Sequence, residues 1–185
     1  LILPFAVPVL IFGVSAAEIV THHGSRIFTV NALSGTVDVL DAAAGETPAD
    51  TTLDRSTELA LVGTPVVGGG TVLEGAAANS LAIRADGLGI VAVQNPEKAD
   101  AGWLVAFDAG TGSLLPAVTV GALPDMVAPT EAGAHALVAN EGEPSDAFTV
   151  DPEGSVAIVA LPTAVPAVAE GALVRTADFH GFEVG

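Results

Sequence analysis

Three stretches of this chain follow one plan, and that repetition constrains the fold more than any other feature. They run from Ala17 to Gly45, from Ala78 to Gly112 and from Pro124 to Leu161. Each opens with a polar residue (Glu18, Asn79 or Asp125) and a short apolar run, then turns through a glycine in HHGS, ADG or EAG. A run rich in Val, Ile, Leu and Phe follows and ends in an amide, Asn31, Gln94 or Asn140. After a variable loop comes a third run, TVDVLD, WLVAFD or SVAIVAL. The first two end in Asp41 and Asp108, and the third has Ala160 at that place. Short apolar runs bounded by Gly, Asn and Asp read as strands. No 3.6-residue apolar period is long enough to predict a helix.

A fourth strand is expected after each unit, at 59–67, at 114–121 and near AVAEGALV. Four antiparallel strands recurring at intervals of roughly 40 to 60 residues describe propeller blades. The expected class is therefore all-β, a β-propeller of four-stranded antiparallel blades, with a β-sandwich as the alternative. The blade-like units are placed at 14–67, 78–121 and 124–175. Residues 1–13 are apolar and read either as an entering strand or as a signal-peptide remnant. No basic region precedes them, and Pro4 and Pro8 interrupt any helix. Residues 42–58 read as a polar excursion between strands, and the triple glycine within 63–78 as a flexible joint. Three blades do not close a ring, since propellers use about four to eight. The chain is thus expected to be an incomplete part of a larger propeller, with the remaining blades of the same parent chain as its first partners.

Charge narrows the function classes. Lys+Arg 5 against Asp+Glu 22 leaves a formal charge of −17. Such a surface repels phosphate backbones and anionic bilayers, which argues against nucleic-acid binding and direct membrane insertion. It attracts cations and keeps the chain soluble. With Cys 0, disulfides and thiolate metal sites are impossible.

The stretch GALPDMVAPTEAGAHALVANEGEPSDAFTVDPEGSVAIVAL resembles the choice-of-anchor I family of bacterial surface and secreted proteins. The segments AAEIV, LGIVAVQNPEKADAGWLVAFDA and TADFHGF fit the same family, so the resemblance covers about residues 14–183. It implies a YVTN- and quinoprotein-like propeller of about seven blades. It also implies an exported protein at the cell surface or outside the cell. Pro129 departs from the family's turn pattern and puts the local strand pairing in question, and Ala147 stands where a further acid is typical. The resemblance assigns no reaction.

The residues best suited to chemistry lie in the loop NEGEPSDAFTVDPEG. Glu141, Glu143, Asp146, Asp151 and Glu153 place five carboxylates within thirteen residues. Calcium takes about six to eight oxygen ligands, so this composition suits it. The spacing matches neither an EF-hand nor a nonapeptide repeat, and solvated turn residues are the competing reading. Glu18, Asn79 and Asp125 occupy matching places at the start of the inner strands. There they either face a central channel or bond neighbouring backbone between blades. No P-loop, GxGxxG, HExxH or Ser/His/Asp set is present, so the sequence names no catalytic or organic-cofactor residue. The reading is an exported surface propeller that binds or scaffolds, with calcium as its candidate ion. A metal-dependent, phosphoesterase-like hydrolase is the alternative.

Overall fold

The computed structural model describes residues 19–42, 55–165 and 174–182. Within them, three four-stranded antiparallel sheets each run up and down in chain order. The first holds β1 (Val20–His23), β2 (Arg26–Asn31), β3 (Thr36–Asp41) and β4 (Arg55–Ala60). The middle sheet holds β5 (Ala77–Ile83), β6 (Leu88–Gln94), β7 (Ala101–Asp108) and β8 (Leu114–Ala122). The third holds β9 (Pro124–Pro129), β10 (His135–Asn140), β11 (Ser155–Ala160) and β12 (Val174–Ala177). The expected all-β class and the three inner strands of each unit are as read from the sequence. Residues 1–13 and Glu18 lie outside the described residues.

Strand registers define which positions correspond. In the middle sheet Ala82 faces Ile90, Leu81 faces Val91 and Ser80 faces Ala92; Asn79 is skipped before Ala78 faces Val93. In the third sheet Ala128 faces Leu137, Val127 faces Val138 and Met126 faces Ala139; Asp125 is skipped before Pro124 faces Asn140. Asn79 and Asp125 are therefore the same bulged position, as their sequence context suggested. The partner of Asn140 is Val93, not Gln94, because the turn before β10 is one residue longer. That turn closes from Thr130 to His135, whereas its counterpart closes from Arg84 to Leu88. Asp41 faces Arg26, Asp108 faces Leu88 and Ala160 faces His135, so Ala160 does occupy the aspartate position.

The sheets stack face to face. Phe28, Val30, Val37 and Val39 of the first sheet pack on Leu81, Val91, Val105 and Phe107 of the middle sheet. Phe28 and Phe107 meet with ring centroids 5.6 Å apart. Gly89 lies opposite Phe107, and any side chain there would collide with the ring. From its other face the middle sheet sends Ile90, Ala92, Leu104 and Ala106 against Val127, Ala136, Val138, Ala157 and Val159 of the third. Covered on both sides, β6 is buried along six consecutive residues, while β10 alternates. A strand between two packed layers has no polar face to show water.

Of the outermost strands, β8 lies where expected, β12 begins at the end of AVAEGALV, and β4 departs from expectation. β4 is the polar run RSTELA rather than 59–67; a strand paired on one side only tolerates such a run, though β8 at the same place in the middle sheet is apolar. The apolar residues that follow pack elsewhere, with Leu61, Val66 and Val72 buried in the seam. The glycine-rich segment is a tight hairpin rather than a loose joint. Pro65 bridges Thr71, and Val67 N–H donates to Ala117 O at 2.8 Å on the edge of β8. Gly68, Gly69 and Gly70 all take positive φ, which lets this turn close. Pro129 leaves the pairing of β9 intact. Thr130 N–H donates to His135 O, so the adjacent Pro129–Ala136 pair falls at a position where no ladder N–H is required.

Candidate functional site

Antiparallel order puts each loop between second and third strands at the same end of the stack as the crossing into the next sheet. That end carries the 95–100 loop, the 141–154 loop and the bulged positions Asn79 and Asp125. Two buried asparagines shape it. Asn95 donates from Nδ2 to Ala101 O at 3.0 Å and accepts the Glu97 N–H at 3.0 Å, folding its short loop back on itself. Asn140 donates to Ser155 Oγ at 3.1 Å and accepts the Gly121 N–H at 3.2 Å. The N–H of Glu141 then reaches Leu123 O at 2.9 Å, pinning the acidic loop to the β8–β9 crossing. Gly142 passes so close to the Glu153 carbonyl that a side chain would not fit. Farther out, Ser145 closes the loop tip: its N–H donates to Val150 O at 2.8 Å and its hydroxyl accepts from Thr149 and Val150.

The five loop carboxylates are all exposed and do not converge. Lys98, carried over from the middle sheet's loop, lies 3.1 Å from Asp146 and 3.5 Å from Glu143. The hydrogen bond it donates to Asp146 raises the Lys98 ammonium above its ordinary pKa, with the attraction of both carboxylates adding to it. Glu153 lies 2.9 Å from His180 Nε2, an ion pair when that imidazole is protonated. Glu141 and Asp151 are not brought into either pair. Among the described residues no three His, Asp or Glu side chains gather as metal ligands. A ready-made calcium cage is thus not what the loop presents; the cation seated at Glu143 and Asp146 is a lysine.

Asn79 bonds across the seam, donating to Pro124 O of the third sheet at 3.0 Å and to Gln94 Oε1 at 3.2 Å. Next to it the buried Ser80 hydroxyl accepts the Val127 N–H at 3.2 Å. These are the inter-sheet bonds anticipated as one use of that position. Asp125, its counterpart, is exposed.

Sequence reasoning did not single out the cations at the opposite end. Arg26 donates from one nitrogen to Ala109 O at 3.0 Å and to Gly110 O at 2.6 Å, joining the first sheet to the middle one. Arg84 donates to Gly133 O at 2.8 Å and Pro162 O at 2.7 Å, joining the middle sheet to the third. Its other nitrogens hold Asp86 at 2.8 and 2.7 Å. That hydrogen bonding keeps the Asp86 carboxyl below the ordinary aspartate range, against a small desolvation. Arg26, Arg84 and Lys98 are three of the chain's five basic residues, and each spans a seam. Basic residues this sparse in so acidic a chain, standing beside repeat turns, are a signal that could have found them.

Fold and contacts together define an all-β repeat protein whose stacked sheets are joined by a small set of polar and cationic side chains. The sequence profile of the Choice-of-anchor I domain matches residues 18–184, and the chain belongs to that family. No curated protein matches it. Among solved structures it is similar to hydrazine synthase from Kuenenia stuttgartiensis, at 15% identity over 91% of this chain and 49% of that one, with a TM-score of 0.46. It is also similar to a putative 6-phosphogluconolactonase from Bacteroides uniformis, at 14% identity over 85% of this chain and 55% of the other, with a TM-score of 0.42. The chain thus spans about half the length of these two structures.

Proposed function

We propose that the chain is part of an exported, surface-associated β-propeller that serves as a binding or scaffold module. The observation that carries this reading is the use made of its polar side chains. Asn79, Ser80, Arg26, Arg84 and Lys98 all join one sheet to the next. Polar groups bonded in this way hold a rigid platform rather than face a substrate. Family membership supports the surface location, and the three repeated sheets support the propeller.

Calcium stabilisation through Glu141, Glu143, Asp146, Asp151 and Glu153 is the finer part of the proposal. An ion there would compete with Lys98 for Glu143 and Asp146 and would have to draw the other three together. The test is thermal unfolding of the protein with millimolar calcium, with magnesium and with chelator. A ligand that binds only the folded state raises the midpoint by mass action. A calcium-specific rise that is lost in the Glu141→Ala, Glu143→Ala, Asp146→Ala variant supports the ion site. Identical midpoints in all three conditions remove calcium and leave the scaffold reading. Nothing in the geometry favours the hydrolase alternative.

A further inference from the structure

Four positions recur on the side of each sheet that faces the next one. They are Phe28, Val30, Val37 and Val39 in the first sheet, and Ile90, Ala92, Leu104 and Ala106 in the middle sheet. In the third they are Leu137, Ala139, Val156 and Ile158, as the registers require. All twelve are apolar. In the first two sheets all eight are buried; in the third Leu137 is 40% exposed and Ala139 is exposed, with Val156 and Ile158 half-buried. The third sheet therefore presents to solvent the same face by which each earlier sheet seats its successor. A contiguous apolar face of this kind marks an interaction surface.

The polar rim of that face is inverted. Across the seam between middle and third sheets, the charged and amide side-chain donors come from the earlier sheet, while the later sheet gives backbone N–H groups such as that of Val127 to Ser80 Oγ. Asn79, Arg84 and Lys98 give hydrogen bonds to Pro124 O, to Gly133 O and Pro162 O, and to the acidic loop. On the third sheet the corresponding places hold Asp125, Thr130 and the 141–154 loop. Asp125 has no proton to give when ionised, and Thr130 bonds locally to His135. Arg175, opposite Ile158, is the basic residue described on this face, at its outer margin on β12. A second copy of this chain fits poorly. The rear of its first sheet would lay Thr29 and Asp38 against the apolar positions, and desolvating a carboxylate is costly; its own third sheet would bring a second rim equally poor in side-chain donors.

We propose that this face seats a further sheet of the same protein, and that the incoming sheet supplies the donors, with a basic side chain or N–H group meeting Asp125. The proposal rests on the propeller reading. The test uses the natural gene product that contains these residues, with Leu137→Asn, Asp125→Asn and Asp125→Lys variants followed by thermal unfolding at low and high salt. Leu137→Asn is expected to lower Tm by about 4 °C or more, since it buries an unpaired amide. Asp125→Asn should lower it less. Asp125→Lys should lower it more than Asp125→Asn, by a margin that shrinks with salt, because charge pairs at a rim are screened. Loss with Leu137→Asn but none with Asp125→Lys overturns the donor assignment and leaves the propeller reading in place. No loss with Leu137→Asn overturns both. Asp125 is exposed, so its variants read the contact even where Leu137→Asn fails to fold.

Discussion

Ile90 and Leu137 occupy the same position in consecutive sheets, yet one is fully buried and the other is 40% exposed. Around Ile90 the third sheet supplies Val127, Val138 and Ala157; around Leu137 the described residues supply no such layer. The side chains are chemically alike, so burial at this position comes from the next sheet and not from the residue. Stability in such a stack is a sum of sheet and seam terms. An apolar face that the described residues leave open adds little to the core.

Substitution at the two positions sharpens the contrast most. In this chain Ile90→Ala should cost about 2 to 5 kcal/mol by urea unfolding, as large-to-small changes in a sealed core do. Leu137→Ala should stay within about 1 kcal/mol, since much of that side chain is already in water. Equal losses would break the comparison by showing that the third sheet's outer face is sealed.

The polar links come next. Arg84→Met keeps the aliphatic stem and removes the donors to Gly133 O and Pro162 O, at a cost of about 1.5 to 3 kcal/mol. Its pH behaviour follows from Asp86, whose folded pKa is depressed. The stabilisation from that pair is fully present above the ordinary aspartate pKa and is lost as pH falls through the lowered value. The gap between wild type and Arg84→Met should therefore narrow only at the acid end of a stability profile. Smallest is Lys98→Met, which removes an exposed pair of the kind that contributes little. The Lys98 pKa is raised, so its contribution persists below the ordinary lysine value and is lost as pH climbs through the higher one. Its neutral-pH midpoint should barely move, and a large drop would make the acidic loop a structural strut.

Much of the fold was legible because apolar runs and turn glycines recur in register. The bulged pair Asn79 and Asp125 and the Asp41–Asp108–Ala160 series could be aligned from the residues alone. Gln94 was misaligned because one extra residue in the turn before β10 is invisible to an ungapped comparison. β4 was misplaced because its run, RSTELA, is polar where the edge strand β8 of the middle sheet is apolar, and the glycine hairpin because glycine reports conformational freedom and not what packs on either side. The acidic loop's composition was legible and its partner was not. That Lys98 would reach it depends on two loops from different sheets meeting at one end, which only the stacked topology provides.

Leu137 stands on the third sheet's open face at the place Ile90 holds in the covered one, and with Cys 0 in these residues a Leu137→Cys variant puts a thiol there that peptide mapping can follow. The rate at which iodoacetamide alkylates that thiol, read by peptide mass spectrometry, reports access to that face. In the natural gene product, the folded Leu137→Cys variant should be alkylated far more slowly than its urea-unfolded chain, because a further sheet covers that position. Equal rates in the two states would contradict the claim that this face seats a successor.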